Sequence, residues 1–99
     1  MFFVYILHSE TSNQYYIGHS DDPDRRLIEH NDPKYSKYTS KFKPWTLKAK
    51  IKIGEDRGEA MKVEIYLKSQ KSRKIIEQVI LRQSVEAYIK YIISKALVG

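Results

Sequence analysis

Five side chains of this 99-residue sequence have the types and spacing to act on a phosphate group. They are Tyr5, Tyr16, Arg26, His30 and Glu64. Arg26 and His30 lie four residues apart, so on one helix they share a face and can meet the same ligand. Arginine holds phosphate through a fork of N–H donors, and histidine moves a proton near neutral pH. For an arbitrary pair of this kind, a solvated helix face with a histidine near the C-terminus is the commoner arrangement.

Glu64 is a carboxylate within an apolar arc of a predicted helix. On a helical wheel, Ala60 and Leu67 lie to one side of it and Met61 lies to the other. A carboxylate in such a place is costly unless something pairs with it. Lys68, four residues on, is one partner, as a surface ion pair. A hard divalent cation, which prefers carboxylate oxygen, is the other.

Tyr5 and Tyr16 each precede an isoleucine in a predicted strand. Tyrosines in strands are common, so each taken alone is interpreted as a core residue. Gly18, two residues after Tyr16, permits a close backbone approach or a bulge. Tyr5 and Tyr16 therefore indicate a functional site only together with Arg26, His30 and Glu64.

The charge distribution predicts a nucleic-acid partner. The sequence has 18 basic and 12 acidic residues, a net charge of +6, and no acidic residue between Asp32 and Glu55. Aromatic side chains alternate with lysines in that stretch, a pattern that suits phosphate neutralisation and base stacking. A solubilising surface is the simpler alternative. The lysines predicted to bind nucleic acid are Lys37, Lys41, Lys43, Lys48, Lys50, Lys52, Lys68 and Lys71.

Other features exclude several classes of protein. The sequence contains no cysteine, which removes disulfides, zinc–thiolate sites, iron–sulfur clusters and thiol nucleophiles. No apolar run approaches the ~18 residues of a membrane span. The first residues lack the basic and small-residue signals of a secretory leader. We therefore expect a cytoplasmic domain without a membrane partner.

The pattern of residues predicts the order β-β-α-β-α-α-α. Strands are expected over 2–7 and 15–18, and a helix is expected from Asp21-Asp22-Pro23 to about Asn31, because aspartate caps and proline suits the first helical position. Residues 32–44 are expected to form a long basic loop. From Trp45 to Ile53 apolar residues alternate with polar ones, which predicts a half-buried strand with a lysine row on its open face.

Helical spacing returns after Gly58 and predicts three further helices, with a break near 69–72 and a last helix capped by Ser84. These elements make an α/β protein of the α+β type, with a three-stranded antiparallel sheet flanked by helices. Residues 1–83 are expected to form the main domain. The apolar side of the last helix, within 84–99, is expected to pack on that domain or on a second copy. Monomer and homodimer both remain open.

The motifs Val4-Tyr5-Ile6 and Tyr16-Ile17-Gly18, followed by Arg26, His30 and a helical Glu64, closely resemble the GIY-YIG nuclease superfamily. The most specific segment is 16–31, and the resemblance covers about residues 2–80. The chain looks like the small single-domain bacterial members. It lacks the glycine that precedes the tyrosine in the first motif.

The resemblance implies a metal-dependent endonuclease that hydrolyses phosphodiester bonds with Mg²⁺ or Mn²⁺. Its expected substrate is nucleic acid, with DNA favoured over RNA but both open. Little sequence specificity and a role in repair or processing are expected. The resemblance also implies that Glu64 binds the metal, Arg26 stabilises the phosphate and Tyr5 deprotonates the attacking water. Tyr16 would position the water or phosphate, and His30 would support proton transfer or hold Tyr5. The alternative is a nucleic-acid-binding module of the same fold without turnover. A basic protein-interaction domain is a third interpretation.

Overall fold

The computed structural model describes residues 1–98, which form one three-stranded sheet and five helices. The elements are β1 Phe2–Ser9, β2 Tyr15–Ser20, α1 Pro23–His30, α2 Lys37–Ser40, β3 Trp45–Gly54, α3 Arg57–Ser69, α4 Arg73–Leu81 and α5 Glu86–Val98. The strand order is β2-β1-β3 and both pairs are antiparallel. The predicted fold class is confirmed.

A bulge in β3 corrects the predicted alternation of that strand. Ile6 pairs with Ala49, but the next residue of β1, Leu7, pairs with Leu47, so β3 carries one extra residue at Lys48. Such an insertion shifts the following side chains to the other face. Trp45 and Leu47 therefore lie on the opposite face from the later apolar residues of β3, and the expectation of one apolar face from 45 to 53 was wrong.

The sheet thus has two buried faces. One carries the main core, in which Val4 and Ile6 pack with residues of α3, α4 and α5 such as Val63 and Val79. The other carries a smaller cluster of Tyr5, Leu7 and Trp45 with aromatic and aliphatic neighbours from β2, α1 and the 32–44 segment. We call this second face the tyrosine face.

The helix α1 begins as the sequence predicts. The side chain of Asp22 accepts a hydrogen bond from the amide of Arg25, and Pro23 occupies the first helical turn. The segment 32–44 differs from the expected loop because it contains the four-residue helix α2, capped by Ser36. That short helix buries Thr39, which matters for the site below.

The break between α3 and α4 needs no glycine or proline. Lys71 adopts a left-handed backbone with φ of 48°, and Ser72 then caps α4 by accepting from the amide of Ile75. The last helix, α5, begins at Glu86 and packs against α3, with Ile89 and Ile92 in the main core. No helix among residues 1–98 has the length and apolar character needed to span a bilayer.

Candidate active site

Tyr5 lies at the centre of the tyrosine face, and Gly18 makes room for it. The two residues are directly opposite each other on β1 and β2. A Cβ atom on Gly18 would lie 2.5 Å from Oη and 2.6 Å from Cζ of Tyr5, well inside normal contact. Tyr5 is only 1% exposed. Gly18 is therefore required by the ring that packs over it, whereas its backbone conformation is ordinary.

His30 is the hydrogen-bond partner of Tyr5. Oη of Tyr5 lies 3.0 Å from Nε2 of His30, and Nδ1 of His30 lies 3.0 Å from the hydroxyl of Thr39. The single proton of the Thr39 hydroxyl has two acceptors, the main-chain oxygen of His30 at 3.3 Å and Oγ of Ser36, and with either one the hydroxyl oxygen accepts from the Nδ1–H group. This network assigns the ring proton to Nδ1, and Nε2 accepts the proton of the Tyr5 hydroxyl. The alternative of a solvated His30 is wrong, because the residue is 3% exposed.

Burial keeps this pair neutral. Burial raises the pKa of Tyr5 to about 12, although the adjacent Arg26 guanidinium opposes the rise. Burial, together with the positive charge of Arg26, lowers the pKa of His30 to about 4. A neutral phenol that donates to a neutral imidazole is the stable state near pH 7. Additional positive charge is needed before the Tyr5 oxygen becomes basic.

Arg26 and Tyr16 complete the cluster on this face. Arg26 interacts with the Tyr5 hydroxyl and forms an ion pair with Glu29 at 2.5 Å. The Tyr16 ring centroid lies 4.5 Å from that of His30 and 6.3 Å from that of Tyr5. Tyr5, Tyr16, Arg26 and His30, four of the five predicted residues, therefore lie together on the tyrosine face, with His30 and Arg26 at the Tyr5 hydroxyl and Tyr16 beside the rings. The guanidinium is partly exposed to an incoming ligand.

The C-terminal end of α1 is fixed to β3, and this holds His30 in place. The Asn31 side chain accepts from the amide of Trp45 at 2.7 Å and donates to its carbonyl oxygen at 3.2 Å. The indole N–H of Trp45 donates to the carbonyl oxygen of Thr39 at 2.7 Å. The histidine and its threonine partner are thus tied to the same strand.

Glu64 lies at the edge of this cluster, on α3 beside β2. Its Oε2 accepts from Nζ of Lys68 at 2.8 Å, as the ion-pair interpretation predicted. Its Oε1 lies 2.7 Å from Nδ1 of His19, a partner that the sequence analysis missed. Nζ of Lys68 also lies 5.7 Å from the Tyr16 ring centroid, which connects Glu64 to the other four residues. The negative charge of Glu64 is felt at Tyr5, where it raises the pKa.

A divalent cation is compatible with Glu64. The carboxylate is 15% exposed and already binds a lysine ammonium, so it occupies a place where a positive charge is stable. No group of three or more histidine, aspartate or glutamate side chains within residues 1–98 is placed to hold a metal ion. One carboxylate would leave most of the coordination shell to water and phosphate, which is normal for Mg²⁺.

The eight lysines predicted to bind nucleic acid are all exposed, but they do not form one row. Lys50 is directly opposite Tyr5, on the tyrosine face, and binds Asp24 of α1 at 3.1 Å. Lys52 is opposite Phe3, also on this face. The lysines at 37, 41 and 43 belong to α2 and the turn after it, Lys48 is the bulge residue, and Lys71 follows α3. Tyr38 is 68% exposed beside the first group, available for stacking.

The chain is similar to one protein family and to several known proteins. The family model described as the GIY-YIG catalytic domain matches residues 1–76. A UPF0213 protein of Neisseria gonorrhoeae is 40% identical over 65 residues, which are 66% of this chain and 69% of the relative. A UPF0213 protein of Neisseria meningitidis serogroup A is 36% identical over 78 residues, 76% of this chain and 84% of the relative. These names state no activity. No solved structure matches the chain significantly.

Proposed function

The chain belongs to the GIY-YIG catalytic-domain family, and from that premise we propose that it is a metal-dependent endonuclease that hydrolyses phosphodiester bonds in DNA. The observation that carries the proposal is the meeting of Tyr5, His30 and Arg26 around one buried phenolic oxygen. A fold kept only for binding has no need of a tyrosine hydroxyl held between a proton acceptor and a guanidinium.

The residues of the tyrosine face supply the proton and phosphate chemistry. Because the Tyr5 hydroxyl donates to Nε2 of His30, its oxygen lone pairs can accept a proton from an attacking water. The water proton passes to Tyr5 while the Tyr5 proton passes to His30, so no free phenolate need accumulate. Arg26 donates N–H groups to the phosphate oxygens as charge develops on them. The Tyr16 ring, which lies against that of His30 at an interplanar angle of 55°, limits where water and phosphate can bind.

Glu64 is the residue that would hold the cation, either Mg²⁺ or Mn²⁺. When bound, the cation supplies Lewis-acid stabilisation of the phosphate oxygens and assists the leaving oxygen. Lys68, which binds Glu64 in the metal-free protein, would then be available to contact a phosphate. The positive charge of Arg26 lowers the pKa of the Tyr5 phenol, but burial, which raises it, has the larger effect.

The lysines extend this site into a nucleic-acid surface. Lys50 and Lys52 lie on the same face as Tyr5, so phosphates flanking the scissile bond can meet them. Contacts between lysines and phosphates do not distinguish one base from another. We therefore propose cleavage with little sequence specificity, in repair or processing of DNA. The exposed ring of Tyr38 suits stacking on unpaired bases, so single-stranded and branched DNA belong among the substrates tested.

A cleavage panel tests the proposal. The protein is incubated with supercoiled plasmid, linear duplex, single-stranded DNA, branched DNA and RNA, with Mg²⁺, with Mn²⁺ or with EDTA. We expect DNA cleavage with either cation, none with EDTA, and a strong loss in Tyr5→Phe, which removes only the hydroxyl. Binding without cleavage of any of these substrates would favour the alternative of a nucleic-acid-binding module.

A further inference from the structure

His19 is the side chain closest to Glu64 that the proposed chemistry does not use. Its Nδ1 lies 2.7 Å from Oε1 of Glu64, and both side chains are mostly buried, with 18% and 15% exposed. The second oxygen, Oε2, binds Lys68, whose side chain is 49% exposed. The two oxygens of this carboxylate therefore have different partners, one enclosed and one open to exchange.

The pleat of β2 explains the difference. Successive side chains of a strand point to opposite faces. Gly18 and Tyr16 are on the tyrosine face, so His19 is on the other face, with Ile17 and the main core beneath α3. Lys68 instead reaches the Tyr16 ring, at 5.7 Å from its centroid. Oε1 is thus bound from the core side, and Oε2 is bound from the side where the substrate phosphate would lie.

We propose that His19 is a positioning residue for the metal site, and this inference rests on the function proposed above. The Nδ1–H group of His19 holds Oε1, fixes the rotamer of Glu64 and leaves Oε2 to the catalytic cation. Partners of this kind orient a ligating carboxylate before the metal arrives, so that ordering the side chain costs little at binding.

Lys68 has the complementary part in this arrangement. Its ammonium lies 2.8 Å from Oε2 and compensates the charge of Glu64 in the metal-free protein. It therefore competes with a divalent cation for that oxygen. The two neighbours of Glu64 have opposite effects on metal affinity: His19 strengthens binding and Lys68 weakens it. If both residues had only a structural role, replacing them would not change the metal affinity in opposite directions.

Mn²⁺ binding without DNA tests this inference, followed by the decrease of the free-ion electron paramagnetic resonance signal. The variants are His19→Ala, His19→Asn, Lys68→Ala and Glu64→Gln. Asparagine places its amide N–H where Nδ1 stood, so it is the conservative replacement. His8→Ala is the matched control, because His8 binds Asn13 at 2.8 Å in a different part of the chain. Thermal melting of each variant verifies that the fold persists.

We expect His19→Ala to weaken Mn²⁺ binding about tenfold or more, and His19→Asn to restore most of the affinity. Lys68→Ala should tighten binding several-fold, and His8→Ala should leave it unchanged. Equal affinities of wild type and His19→Ala, or an Asn variant as weak as Ala, would overturn the role of His19. No gain in Lys68→Ala would overturn the role of Lys68.

Cleavage distinguishes this inference from the function on which it rests. Binding of Mn²⁺ that follows the expected order, in a protein that cuts none of the DNA substrates, refutes the nuclease and retains the metal site. Binding that is unaffected by Glu64→Gln refutes the metal site, and the inference about His19 and Lys68 is then refuted as well.

Discussion

Substitution of Gly18 by alanine tests the closest approach in the site. The new Cβ would lie 2.5 Å from Oη and 2.6 Å from Cζ of Tyr5, so the ring must move by about 1 Å to reach ordinary separation. Tyr5 has little room to do so, because it is 1% exposed and bound to His30. Overpacking of a core costs about 1–3 kcal/mol, and breaking the hydrogen bond adds about 1 kcal/mol.

The expected decrease in unfolding free energy for Gly18→Ala is thus about 1–3.5 kcal/mol, after a gain of ~0.5–1 kcal/mol because alanine suits a strand better than glycine. Urea unfolding followed by the fluorescence of Trp45, the only tryptophan, measures it. Trp45 also reports on the site, since its ring centroid lies 6.2 Å from that of Tyr16. Cleavage should fall about 100-fold, the usual effect of a displacement of about 1 Å.

A control variant and a double variant test this prediction further. Gly58→Ala is the matched control: its Cβ would lie 3.1 Å from Oδ1 of Asp56, an exposed side chain that caps α3 by accepting from the Gly58 amide, and alanine suits a helix. It should change stability by less than ~1 kcal/mol. Combined with Tyr5→Phe, which removes Oη but keeps the ring, Gly18→Ala should cost less than it does alone. An unchanged urea midpoint for Gly18→Ala would refute the close approach of the ring to Gly18.

Three further predictions concern charge, the last helix and pH. Changing Lys48, Lys50 and Lys52 to Ala should reduce the salt dependence of duplex binding, with the log–log slope becoming shallower by about 0.9 for each phosphate that the variant no longer binds; an unchanged slope would mean that these lysines only solvate the surface. Ending the chain after Gln83 removes α5 and its core residues, so the melting temperature should fall by several degrees or an oligomer should dissociate; melting and sedimentation like those of the parent, allowing for mass, would contradict this. Because the pKa of His30 is lowered to about 4 in the folded chain, its unfolded state takes up a proton first as the pH falls below ~6.5. About 3 kcal/mol of stability, present above pH ~6.5, should therefore disappear between pH ~6.5 and pH ~4. The unfolding free energy of His30→Gln should decrease less than that of wild type over that pH range. If the urea midpoints of the two proteins changed in parallel with pH, the buried neutral state of His30 would be refuted.

The elements were predictable where a local signal exists. The Asp22-Pro23 pair begins α1, and the apolar spacing of the later helices matches their buried sides. The bulge in β3 was not predictable, because the strand buries the tyrosine face before Lys48 and the main-core face after it. Trp45 and Leu47 are apolar and so are Ala49 and Ile51, hence the alternation continues while the face changes. The helix α2, with four residues, is too short to produce a periodic pattern.

The sequence predicts which residues belong to the candidate site better than it predicts the contacts between them. The residues of the family motifs are local in sequence, but the bond between Tyr5 and His30 joins positions 25 apart and depends on how α1 packs over the sheet. Thr39, which determines the tautomer of His30, lies in the segment expected to be a loop. A signal for His19 was present: alternation along β2 places the residue after Gly18 on the face that α3 covers.

The most direct test of the account is metal-dependent cleavage by Glu64→Gln under single-turnover conditions, compared with wild type on the best DNA substrate. The substitution keeps the shape of the side chain and its bond to His19, but an amide oxygen holds a hard cation poorly. We predict that cleavage with Mg²⁺ or Mn²⁺ is abolished, while DNA binding without metal is unchanged or tighter. A Glu64→Gln protein that cuts DNA at the wild-type rate would contradict the assignment of Glu64 and the metal-dependent mechanism built on it.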